Sequence, residues 1–138
     1  MDRPSSQFLA RRTAIAVFWT AVAFTFVCAI APADRLYLAD RDKLEHFVAF
    51  FTLTVLAIVA YPRRALAVTG MKLLAFGALI EVVQALPAVG RDGDMADLVT
   101  DGAAIAMVGL LFACTGARFK LLRLLRPAPG FVHTVHGR

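Results

Sequence analysis

The sequence predicts an all-α fold: a four-helix transmembrane bundle with both termini cytoplasmic and a basic amphipathic C-terminal extension. Three observations predict it. The chain carries four apolar runs, each near the roughly 20 residues that a helix needs to cross a bilayer. Basic residues gather at the ends of these runs on one side. Acids gather on the other side and enter three of the runs at helical spacing. The chain is 59% hydrophobic and 18% charged over 138 residues, above the roughly 45–50% apolar content of soluble domains. That length allows one domain at most. A net charge of +5 on a soluble face would point to nucleic acid. Here the basic residues mark helix ends, so the pattern excludes nucleic acid as a partner.

Residues 1–12 form a polar cytoplasmic leader with Arg3, Arg11 and Arg12, residues 13–116 the membrane domain, and residues 117–138 a basic segment and tail. The first span, Thr13 to Ala31, holds no charge over 19 residues. A signal peptide is the rival reading, with Ala29-Ile30-Ala31 as its cleavage site. The run exceeds the roughly 7–15 residues of a signal core, and Pro32 would follow the cut directly. A retained helix is the better expectation. Residues 32–42 make a polar connection. The second span runs from about Lys43 to Tyr61, the third from about Ala65 to Leu86, and the fourth from about Met95 to Gly116. Pro62, Arg63 and Arg64 form a tight basic turn, and Pro87 to Asp94 a short loop. Beyond the fourth span Lys120, Arg123 and Arg126 share one face opposite leucines, the pattern of a helix lying on a membrane surface. His133 and His136 in the tail are too sparse for a metal site.

Placing both termini inside puts eleven of the 15 basic residues in the cytoplasm and leaves Arg35, Arg41, Lys43 and Arg91 outside. Nine of the ten acids fall outside, Asp2 being the exception. This places the protein in the cytoplasmic membrane as a multi-pass protein, N-in and C-in. Cys28 and Cys114 fall in opposite leaflets, too far apart for a disulfide, and are expected to be small core residues.

The ionisable groups share a level. His46 lies four residues inside Asp42, roughly 6 Å along a helix, while Glu81 and Asp101 each lie roughly 9 Å in from Pro87 and Met95. Asp42, Glu45 and His46 form one stripe, Glu81 and Gln84 a second, Asp97 and Asp101 a third. In lipid such stripes must face one another or a wet cavity. The expectation is an outward-opening polar pocket walled by spans two, three and four and formed by Asp42, Lys43, His46, Glu81, Gln84, Arg91, Asp94, Asp97 and Asp101. On span four Gly102, Ala106, Gly109, Ala113 and Gly116 form a small-residue stripe expected to admit a neighbouring helix.

Asp42-Lys43-x-x-His46-Phe47, then Glu81-x-x-Gln84, then Arg91 with Asp97 and Gly102 beyond it, resembles the VanZ-like membrane proteins. The resemblance covers about residues 10–116. It implies a small four-helix protein of the bacterial cell envelope, in a family whose namesake is an accessory glycopeptide-resistance protein tied mainly to teicoplanin. It implies no particular reaction. The chain departs from that pattern at Asp101, where the family usually has Asn, and at Asp94, where it often has Ser. A role that needs a neutral amide at Asp101 does not carry over.

For each residue a plain reading stands beside a functional one. Asp42 and Glu45 have the spacing of a helix N-cap and its reciprocal glutamate. Lys43 can snorkel or pair with an acid. His46 can be a hydrogen-bonded core residue or a catalytic or metal-binding group. Arg91 can clamp an anionic head group or neutralise Asp94 and Asp97. Three activities fit: binding or modulation of an envelope lipid, lipid-linked precursor or glycopeptide; an enzyme on a lipid-linked or phosphate-bearing substrate, with His46, Glu81, Asp97 and Asp101 as candidate catalytic groups and His46 or Glu81 as general acid/base; or proton-coupled transport, which four spans with no mid-membrane charge serve poorly. No serine lies in the pocket stretches, so an acyl-enzyme is not expected. His, Glu and Asp suit a hard divalent ion, but there is no tight motif such as H-E-x-x-H, and no metal or cofactor is assigned. Membrane lipids are expected partners, and oligomerisation stays open.

Overall fold

A computed structural model describes residues 6–31, 39–89, 91, 93–116 and 121. The described residues are all-helical and contain no strand: α1 (Ser6–Ile30), α2 (Ala39–Ala60), α3 (Leu66–Gln84) and α4 (Met95–Cys114). All four are long and apolar enough to cross a membrane, which makes this a multi-pass membrane protein in contact with lipid. The basic amphipathic segment, the tail with His133 and His136, most of the 32–42 connection and Asp92 lie outside the described residues.

Each helix starts and stops for local reasons. α1 has no glycine or proline inside it. It begins at Ser6, within the expected polar leader, where Leu9, Ala10, Arg11 and Arg12 are good helix formers. α2 stops ahead of Pro62, where Arg64 N–H donates to the Tyr61 carbonyl at 3.0 Å and closes the turn. α3 stops before Pro87, with Ala85 N–H still donating to Glu81 O. α4 opens on an N-cap: the Asp94 carboxylate accepts from Ala96 N–H at 2.8 Å.

α2 is the central helix, packed on each of the other three. Phe50, Leu53, Ile80 and Val108 are fully buried between them, and so is Asp101. The opposite faces carry Phe24, Met71, Val99 and Leu110, each at least 65% exposed. Apolar side chains turned outward from every span suit hydrocarbon and would be a liability in water. Trp19 on α1 donates to the Tyr61 hydroxyl at 2.9 Å, and the Arg64 guanidinium lies over the Tyr61 ring. These are amphipathic groups of the kind found at a membrane interface.

Three expectations fail on packing. The close approach between helices is made by α3 and not by the small-residue stripe of α4. Gly70 faces Ile105, and a Cβ on Gly77 would overlap Asp101 Oδ2 and meet Phe50 Cζ at 3.2 Å. On α4, Ala106 and Ala113 are exposed, and nothing lies within 4 Å of where a Gly109 Cβ would stand. α4 docks instead through Asp97, Asp101, Ala104 and Val108. Asp42 is not an N-cap, because α2 begins three residues earlier at Ala39. Cys28 and Cys114 are free, as expected, but exposed rather than in the core.

Candidate functional site

The C-terminal end of α1, the N-terminal end of α2, the C-terminal end of α3 and the N-terminal end of α4 meet at one end of the bundle. There α2 supplies Lys43 and His46, α3 supplies Glu81 and Gln84, and α4 supplies Asp97 and Asp101. His46, Glu81, Gln84, Asp97 and Asp101 are all buried. Of the three predicted stripes, His46, Glu81, Asp97 and Asp101 face one another, whereas Asp42, Glu45 and Gln84 turn towards α1 and the groove.

His46 is the hub. Its Nδ1 lies 3.0 Å from Asp101 Oδ1, and its Nε2 lies 3.9 Å from Glu81 Oε1. The ring stacks on Phe50 one turn along α2, with centroids 6.4 Å apart. An ionised carboxylate can only accept, so with Asp101 ionised the imidazole carries its proton on Nδ1 and presents the Nε2 lone pair towards Glu81. Glu81 is held from behind, since its Oε2 accepts from the Asp94 backbone N–H at 2.7 Å. Gly93 makes that bond reachable. A Cβ there would stand 2.8 Å from the Glu81 carbonyl oxygen, so the loop approaches α3 closely only without one.

Each acid of the cluster is half satisfied. Glu81 Oε1, Asp97 Oδ1 and Asp101 Oδ2 are buried and accept no hydrogen bond from the described residues. Lys43 lies 3.3 Å from Asp94 Oδ2 and 3.8 Å from Asp97 Oδ1. Lys43 therefore pairs with acids as expected, with its half-exposed ammonium on the rim, while His46 is the basic group set against the deeper Glu81 and Asp101. A buried carboxylate oxygen without a partner is among the most unfavourable local features a fold can keep. Asp94 itself is exposed. The Ala96 N–H and the Lys43 ammonium hold its carboxyl below the usual aspartate range.

Arg91 is fastened to Asp42 and to α1. Its Nη2 donates to Asp42 Oδ1 and its Nη1 to the Ala29 carbonyl, both at 3.0 Å. Gln84 Nε2 donates to that same carbonyl at 3.0 Å. The last carbonyls of α1 have no partner within their own helix, so Arg91 and Gln84 cap α1 and fasten it to α2 and α3. A cation at a helix C-terminus also opposes the helix dipole favourably.

The open space does not lie where expected. A groove of about 570 Å³ runs between α1 and α2 and not inside the α2–α3–α4 cluster. Phe24, Leu44, Val48 and Leu53 are among its apolar walls, and Asp42, Glu45, His46, Gln84 and Arg91 form its polar end. The predicted pocket residues therefore divide. Asp42, His46, Gln84 and Arg91 line the groove, whereas Glu81, Asp97 and Asp101 sit behind His46, and Lys43 and Asp94 cover the outer rim. Among the described residues, His46 both lines the groove and touches the acids. The reason is geometric: polar stripes on three helices satisfy one another by closing up, so the vacant volume falls beside the one helix, α1, that brings no charge to this end.

Sequence reading missed the roles of Gly77, Gly93 and the α1 carbonyls. It also missed that one donor atom each of His46, Glu81 and Asp97 lies within 4.8 Å of the other two. These ligands come from three different helices, so no local motif announces them.

Fold and site together define a four-span membrane protein with a buried His/Asp/Glu cluster beside an apolar groove. Comparison with protein-family models, curated proteins and solved structures finds no match.

Proposed function

We propose that this is a VanZ-like protein of the bacterial cytoplasmic membrane that binds an envelope lipid or lipid-linked precursor. The apolar chain lies in the groove between α1 and α2, and the head group lies against His46, with both termini of the protein in the cytoplasm. The observation that carries the reading is the two-part lining of the groove, apolar along its walls and polar at one end. Its volume falls within the roughly 300–1,000 Å³ of small-molecule sites. The rim narrows the head group. The rim combines the carboxylates of Asp42 and Glu45 with the Arg91 guanidinium, which is paired with Asp42. Such a mixed rim suits a polar head group that exchanges hydrogen bonds in both directions, through sugar hydroxyls or an amine. A glycopeptide or its lipid-linked target presents donors of that kind, which keeps an accessory resistance role within this reading.

The test is native mass spectrometry of the protein released from lipid nanodiscs, comparing wild type with Ala49→Trp, which places an indole in the groove. The reading expects a retained lipid on wild type and its loss on the variant. Equal retention overturns it. A cytoplasmic reporter signal from a fusion after Arg138 tests the orientation.

One observation favours a second reading, an enzyme acting on the bound lipid. The Asp101–His46 hydrogen bond, with Glu81 on the far side of the ring, is an acid/base arrangement. If the site is catalytic, Glu81→Gln and His46→Ala each abolish function while the protein stays inserted and folded. If it only binds, Glu81→Gln keeps partial function and purified envelope lipids are not turned over.

A further inference from the structure

We infer that His46, Glu81 and Asp97 form a binding site for a divalent transition-metal ion. His46 offers Nε2, because Nδ1 is taken by Asp101. Glu81 offers Oε1 and Asp97 offers Oδ1, two buried oxygens that accept no hydrogen bond from the described residues. Glu81 is 7% and Asp97 3% exposed, so water does not readily satisfy them. One donor atom of each residue lies within 4.8 Å of the other two. Ligands at about 2.0–2.2 Å from an ion in tetrahedral geometry stand roughly 3.3–3.6 Å apart. Binding thus draws the side chains together by up to roughly 1.5 Å.

The surroundings are those of a ligand set. Asp101 holds the imidazole from its other nitrogen at 3.0 Å, which fixes the tautomer and raises the basicity of Nε2, as outer-shell carboxylates do for metal-bound histidines. The Asp94 backbone N–H holds the other oxygen of Glu81 at 2.7 Å and aims Oε1 inward. The cluster gathers three carboxyl groups around one imidazole, with Lys43 at its edge, 3.8 Å from Asp97. One imidazole with two carboxylates suits Zn²⁺, Mn²⁺ or Fe²⁺ better than Ca²⁺ or Mg²⁺, which prefer all-oxygen shells. Three protein ligands leave at least one coordination position for water or a ligand.

The site does not depend on the groove being occupied, so its failure and that of the lipid reading are separable. The experiment uses the full chain in nanodiscs with the other possible donors removed (Cys28→Ser, Cys114→Ser, His133→Ala, His136→Ala). The protein is stripped with chelator and titrated with Zn²⁺ and Mn²⁺, and metal per chain is measured by mass spectrometry. Retained lipid is read on the same sample. The site predicts one equivalent bound, a loss of affinity above about 100-fold for Asp97→Asn or Glu81→Gln, and about 10–100-fold for Asp101→Asn, which disturbs only the outer shell. Pulsed EPR of bound Mn²⁺ should show one directly coordinated histidine nitrogen, a readout that needs no variant to fold. Zero metal per chain, or binding that survives Asp97→Asn and Glu81→Gln together, overturns the inference. So does a Mn²⁺ spectrum without nitrogen coupling. Lipid retained without metal leaves the lipid reading standing.

Discussion

Replacing Gly77 by alanine tests whether α3 and α4 meet as described. The added Cβ would overlap Asp101 Oδ2 and stand 3.2 Å from Phe50 Cζ. Asp101 is 0% exposed and does not line the groove, so it has little space to retreat into. Overpacking of this kind costs about 1–3 kcal/mol. Alanine recovers about 0.8–1.0 kcal/mol in helix propensity. Displacing Asp101 also stretches its bond to His46, and hydrogen bonds to charged groups are worth about 1.5–3 kcal/mol. The net expectation is a loss of about 2 kcal/mol. Gly109→Ala is the internal control. It also lies within a span, but its Cβ meets nothing within 4 Å, so the propensity gain of about 0.8–1.0 kcal/mol should appear with little opposing it. Unfolding of the two purified variants in mixed micelles by SDS titration, followed by far-UV circular dichroism, reads both. The reasoning fails if Gly77→Ala is as stable as wild type, or if the two variants shift in the same direction by similar amounts.

Other outcomes follow from the same contacts. Arg91→Ala removes the guanidinium from Asp42 and leaves the Ala29 carbonyl to Gln84 alone, and should destabilise by about 2–4 kcal/mol, somewhat under the range for a fully buried pair because Asp42 is 24% exposed. Protease accessibility of α1 should rise with it, and unchanged accessibility would rule out the α1 latch. Trp19→Phe removes one exposed hydrogen bond to Tyr61 and should cost about 0.5–1.5 kcal/mol in the same titration. Asp94 has a folded-state pKa below its unfolded value, so its ionised form stabilises above the usual aspartate range, and that contribution is lost as pH falls through the lowered folded value. The melting-temperature gap between wild type and Asp94→Asn, which keeps a cap, should therefore be present at neutral pH and close in acid. A gap that widens in acid refutes the assignment.

The fold was legible because it follows from counting. Apolar runs of spanning length and prolines at their ends locate α2, α3 and α4 to within a few residues. The cluster was legible for a related reason: charges at helical spacing inside apolar runs must face inward, and His46, Glu81, Asp97 and Asp101 do. What depends on pairwise approach was hidden. Nothing local distinguishes Gly77, which meets Asp101, from Gly109, which meets nothing. Arg91 looked like a partner for nearby acids, and nothing local announces its bonds to α1 and α2, about fifty to sixty residues away in sequence. The groove was misplaced because volume left over after packing is set by all four helices at once.

The most direct test of the account is where a bound lipid sits. A lipid with a photoreactive group on its acyl chain, incorporated into nanodiscs with the full chain, can be cross-linked and mapped by peptide sequencing. The account predicts labels concentrated on Thr25, Ala49 and Thr52 in the groove, and depleted there by Ala49→Trp. Labels spread evenly over outward residues such as Met71, Val99 and Leu110, and unchanged by that substitution, would contradict it.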